Sequence, residues 1–149
     1  MCEIIRVKNI KYLFGNYGNT DLGLLLIRVV FGAIMFFNHG YGKLIGGINR
    51  WNWLGGVLTN LIGYDIFQIF FGLMASLSES IFALFIMLGF LTRISSTLLF
   101  ITMLVASLYH LVDNEFPEMA ILYAVFCLLI LVSGPGRHSL DHRYLSKYQ

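Results

Sequence analysis

Four long apolar runs organise this chain: residues 22–38, 66–91, 94–112 and 119–133. None alternates as a half-buried strand would. A membrane-spanning helix needs about 20 apolar residues, with a range of roughly 17 to 25. The first and fourth runs are short and borrow flanking residues. The second is long, so it tilts or begins as an interfacial segment. Backbone polar groups must be satisfied inside lipid, which predicts helices throughout. Runs two and three are joined only by Thr92-Arg93 and are expected to form an antiparallel hairpin. The predicted architecture is all-α, a single domain over residues 1–149 built as an integral membrane four-helix bundle.

Charge sets the expected orientation. Four spans place both tails and the Thr92-Arg93 turn on one side. That side carries Arg6, Lys8, Lys11, Arg93, Arg137, Arg143 and Lys147. The other carries Lys43 and Arg50, with the acidic residues Asp113, Glu115 and Glu118. The positive-inside bias predicts cytoplasmic termini and a multi-pass protein of the bacterial inner membrane, its bilayer the first partner. The first run begins after a tail and ends in NHGYGK, so it reads as a retained span and not a cleaved signal. The long connection from His39 to Asp65 contains GGINRWNWLGG. Trp51 and Trp53 suit the membrane–water interface, and the two glycine pairs would break a short interfacial segment. An amphipathic connector is the favoured reading over a lid on a site.

Composition agrees. The chain is 58% hydrophobic and 12% charged, whereas soluble domains carry about a quarter charged residues. A net charge of +2 gives no basis for nucleic-acid binding. Cys2 and Cys127 form no CxxC or metal-type spacing.

The polar residues inside the runs carry the candidate chemistry. Glu79 stands mid-run, where a carboxylate costs a few kcal/mol or more and must be paired, protonated or facing water. Arg28 is the strong base at similar depth, and an Arg28–Glu79 pair inside the bundle is expected. Such a pair either fixes helix register or serves function. Helical spacing puts Arg28, Gly32, Met35 and His39 on one face, and Gly72, Ser76, Glu79, Ser80 and Ala83 on another. Thr102, Ala106 and His110 share a third face, and Tyr123 with Cys127 a fourth. His39, Lys43 and His110 gather at the outer end as a candidate ligand site. The readings there are interfacial histidines, an anionic ligand or quinone head above apolar walls, and a bis-histidine haem or metal centre. Nothing else nearby favours haem, and no metal centre is assigned. At the other end Gly134, Pro135 and Gly136 stop the fourth helix. Asp141 is placed to pair with Arg137 or Arg93, forming a structural clasp on the cytoplasmic face.

The segments LIRVVFG around Arg28, HGYGKL from His39, SES around Glu79, LGFLTR ending at Arg93, MLVASLYH ending at His110 and SGPGRHSLD ending at Asp141 resemble those of the DoxX family of small bacterial membrane proteins. The resemblance implies a four-helix membrane bundle, with Arg28, Lys43, Glu79, Arg93 and Asp141 on recurrent polar positions. Some relatives are described as subunits of thiosulfate:quinone oxidoreductase, others as partners in membrane oxidoreductase complexes that meet thiol and superoxide stress. The implied role is a redox-associated subunit, not necessarily catalytic itself, that binds a quinone-like or small apolar ligand and assists a partner oxidoreductase. Without paired cysteines, electrons would pass through a bound group or a partner. The rival readings are an assembly protein with no chemistry, and a small transporter or proton pathway using Glu79, for which a homo-oligomer would supply more material.

Overall fold

The computed structural model describes residues 20–63 and 66–145. Cys2, Arg6, Lys8, Lys11, Asp65 and Lys147, which entered the cysteine, charge and connection arguments, lie outside the described residues. Within them every regular element is helical. Helix α1, Thr20–Ile34, runs through one wider π-helical turn, Met35–Gly40, into α2, Tyr41–Ile45. Together these make a 26-residue apolar helix long enough to cross a membrane. Helix α3 is Gly47–Ile62. Helices α4, Gln68–Glu79, and α5, Ile81–Leu88, form a second membrane-length helix that bends at Ser80, where φ is −106° and ψ −81°. Helix α6, Thr92–Val112, is the third. Helix α7, Glu118–Ser133, has 16 residues, about 24 Å of rise against a hydrocarbon core of about 30 Å. A short helix α8, Leu140–Leu145, follows.

The connection from His39 to Asp65 departs from expectation. It divides at Gly46-Gly47, where Gly47 takes a φ of +67°. It does not divide at Gly55-Gly56, which lie inside α3. The reason is packing. Helix α3 runs antiparallel along α4, and a Cβ on Gly55 would overlap the Gln68 carbonyl, while one on Gly72 would overlap the Trp51 carbonyl. Small residues at such positions let membrane helices approach to backbone contact. The supposed connector is therefore a packed helix of the bundle.

The same register continues inward. Gly32 faces the Ala83 carbonyl and Met87, and Gly40 faces the Glu79 carbonyl and Ser80. The π-helical turn of the first long helix thus meets the bend of the second at the level of Glu79. Helix α7 closes the bundle against α6. Met35, Ile86, Leu99, Cys127 and Ile130 are fully buried at the centre, and Phe31 stacks on Phe126 with ring centroids 3.5 Å apart. Outward faces expose Leu26, Val30, Ile101, Leu122 and Val125, as lipid contact requires.

The second turn also shifts from its expected place. Thr92 and Arg93 already belong to α6. The reversal is made by Gly89, with φ +69°, and by Leu91, with φ +45°. The Phe90 N–H closes α5 by donating to the Phe85 carbonyl.

Candidate functional site

Glu79 ends α4 beside the bend and is buried. Its Oε2 accepts a hydrogen bond from Lys43 Nζ at 2.5 Å. The expected partner, Arg28, is elsewhere. The antiparallel register explains this: Arg28 lies against Gly89, ten residues beyond Glu79, about 15 Å of helix rise. Lys43, one turn past Gly40, is the base that the register delivers to the carboxylate. Its own carbonyl accepts from Trp51 Nε1 at 3.0 Å, which ties α3 to the same point.

Two cavities touch the pair from different sides. One, of about 220 Å³, lies between α3, α4 and α6 and is lined by Lys43, Arg50, Trp53, Glu79, Tyr109 and His110. The guanidinium of Arg50 sits 5.0 Å over the Trp53 ring. An apolar cavity of about 230 Å³ adjoins it, with Phe71, Met74, Phe82, Leu98 and Ile101 in its walls. Leu54, Ala75, Thr102 and Val105 line both. Thr102 Oγ1 lies 2.7 Å from Ser78 Oγ. The second chamber at the pair, of about 140 Å³, lies between the π-helical turn, α6 and α7 and includes His39, His110, Met35, Met103 and Tyr123. His39, Lys43 and His110, grouped as a ligand site from the sequence, do line one chamber. The structure adds Glu79 to that group, while Arg28, its expected partner, lies elsewhere. The face of Thr102, Ala106 and His110 on α6 looks into cavities, and the most buried stripe is its neighbour, Ser96, Leu99, Met103 and Ser107.

Arg28 is fully buried at the other end of the bundle. Its Nη2 donates to the His138 carbonyl at 3.1 Å, while Nε and Nη1 have no partner among the described residues. Here the clasp residues are found, with other contacts than expected. Asp141 pairs with neither Arg137 nor Arg93. Its carboxylate accepts from the Leu91 and Thr92 N–H groups, each at 2.8 Å, and from the Thr92 hydroxyl at 2.7 Å. It thereby caps α6, which has no side-chain cap of its own. A negative charge is favoured at that helix terminus. It also holds Leu91 in a left-handed conformation that ordinary residues avoid. Arg137 instead reaches Asp21, with Nε 3.5 Å from Oδ2, and the Arg93 side chain is exposed. Replacing Asp141 by Ala leaves two helix-terminal N–H groups without an acceptor and is expected to cost about 1–3 kcal/mol. Unfolding of the purified protein in detergent reads this directly. Asp141→Asn should lose less, because its amide oxygen still accepts.

A match to the DoxX family covers residues 23–111. The chain belongs to the DoxX family. That match contains Arg28, His39, Lys43, Glu79 and His110, and stops before Asp141. No curated protein and no solved structure matches the chain. Family membership and the three membrane-length apolar helices together make this a membrane protein. Sequence reasoning missed the Lys43–Glu79 pair. The signal that could have found it is Gly40, whose missing Cβ marks where the first helix touches the second.

Proposed function

We propose that this DoxX protein binds a quinone-like amphiphile at Lys43 and Glu79, and serves as the membrane subunit of a partner oxidoreductase. The observation that carries the reading is the buried Lys43–Glu79 pair set at the wall of a cavity that adjoins an apolar one, the two sharing Leu54, Ala75, Thr102 and Val105. A few converging polar groups above apolar walls are the usual make-up of a small-molecule site. Lys43 Nζ can donate to a ring carbonyl, and Glu79 can accept from the hydroxyl of the reduced form. The head then occupies the cavity beside Tyr109 and His110, and the tail lies along Phe71, Met74 and Ile101. The partner supplies or removes the electrons. The termini are proposed to face the cytoplasm of a bacterial inner membrane, on the charge asymmetry.

The experiment is extraction of the purified protein with organic solvent, followed by mass spectrometry of the released molecules. Wild type should release a quinone above the level in an unrelated membrane protein prepared alongside it, and Glu79→Gln should release much less. Equal quinone from all three preparations would refute the reading. An assembly role is the second reading, favoured by the meeting of the π-helical turn and the Ser80 bend at the ion pair. It predicts loss of folded protein in Glu79→Gln with no ligand in wild type.

A further inference from the structure

The smaller chamber has a chemistry of its own. Three of the chain's six methionines, Met35, Met103 and Met119, line it together with His39 and His110. They come from the first long helix, α6 and α7. Methionine fills irregular gaps in many cores, and that alone would account for one or two. The histidines carry the argument further. Among the described residues neither ring nitrogen of His39 has a hydrogen-bond partner; its ring packs edge-on against Tyr123, with centroids 5.5 Å apart. His110 Nδ1 lies 3.1 Å from Glu115 Oε2. When Nδ1 donates to that carboxylate, Nε2 is left with a free lone pair, the arrangement that orients metal-bound histidines elsewhere. Lys43 and Glu79 also line the chamber, where the carboxylate offsets the lysine charge. The volume of about 140 Å³ suits an ion with a few waters, since one water takes about 30 Å³.

We infer that this chamber binds a soft monovalent cation, copper(I), through the thioethers of Met35 and Met103 and the imidazole of His39, with Met119 and His110 completing the donor set. Thioether and imidazole donors without a thiolate favour copper(I) over zinc and the hard divalent ions. The inference does not depend on a quinone in the larger cavity.

The test is an anaerobic titration of the purified full chain in detergent, in which copper(I) is contested between the protein and bicinchoninate. Cys2→Ser and Cys127→Ala are present throughout, so that thiols take no part. The expected result is one copper(I) per chain, not displaced by excess zinc(II). Met35→Leu with Met103→Leu keeps the volume nearly unchanged and, removing two direct ligands, should weaken binding by at least the roughly tenfold to hundredfold that loss of an outer-shell partner costs. His39→Ala should weaken it independently, and Met74→Leu with Met87→Leu, outside the chamber, should not. Helical circular dichroism and gel filtration establish that each variant is folded. If the parent protein takes no copper(I) from bicinchoninate, or if the Met35/Met103 and His39 variants bind as the parent does, the site does not exist.

Discussion

Lys43→Met is expected to destabilise the protein by about 3–5 kcal/mol, the usual cost of leaving one member of a buried ion pair alone. The Glu79 side chain is only 4% exposed and that of Lys43 21%, so water cannot replace the lost partner in full. Glu79→Gln should cost less, because the amide still accepts from Lys43, while the lysine keeps an unbalanced charge. Combining Lys43→Met with Glu79→Met should recover much of the loss, since an apolar pair avoids the desolvation of both charges. The interaction energy from this cycle should be a large fraction of either single effect. Arg28 supplies the contrast. Arg28→Met and Glu79→Gln should add without coupling, as sites more than about 10 Å apart generally do. Coupling of Glu79 to Arg28, and none to Lys43, would overturn the arrangement described above. The measurement is reversible unfolding in mixed micelles, following helical circular dichroism.

The membrane character and the four apolar segments were legible because the bilayer imposes a length and a composition that the sequence displays directly. The faces of the first two long helices were legible for a similar reason, since Arg28, Gly32, Met35 and Gly72, Ser76, Glu79 follow helical spacing and are buried or nearly so. What was not legible was axial register. Depth counted from the ends of apolar runs placed Arg28 near Glu79, but Arg28 lies level with Gly89 and Gly40 level with Glu79, a displacement of about one helical turn from the expected register. Gly40 fixes that shift through backbone contact, which is a tertiary fact. Helix α3 was misread for a related reason: its glycines look like breaks when the neighbour they admit is unknown. Asp141 was recognised as part of a clasp but given arginine partners, because charge pairing is visible in sequence and a carboxylate capping a distant helix is not.

Ala75 offers the other large effect. It lines both the polar and the apolar cavity, so Ala75→Phe fills the junction while leaving Lys43 and Glu79 themselves unaltered. A ligand whose head and tail pass this point should be shut out almost completely, while the ion pair and its coupling energy persist. The substitution separates the two proposed roles of the site. An organising pair tolerates a filled cavity, and a ligand site does not.

The most direct measurement of the central claim is thermal unfolding of wild type and Ala75→Phe in detergent, with and without a short-chain ubiquinone analogue. Binding to the folded state alone stabilises it by about 2.7 kcal/mol at a hundred times the dissociation constant. The account predicts a raised, concentration-dependent Tm in wild type and an unmoved Tm in Ala75→Phe, with both proteins folded in the absence of the analogue. Equal shifts in the two proteins, or no shift in wild type, would contradict it.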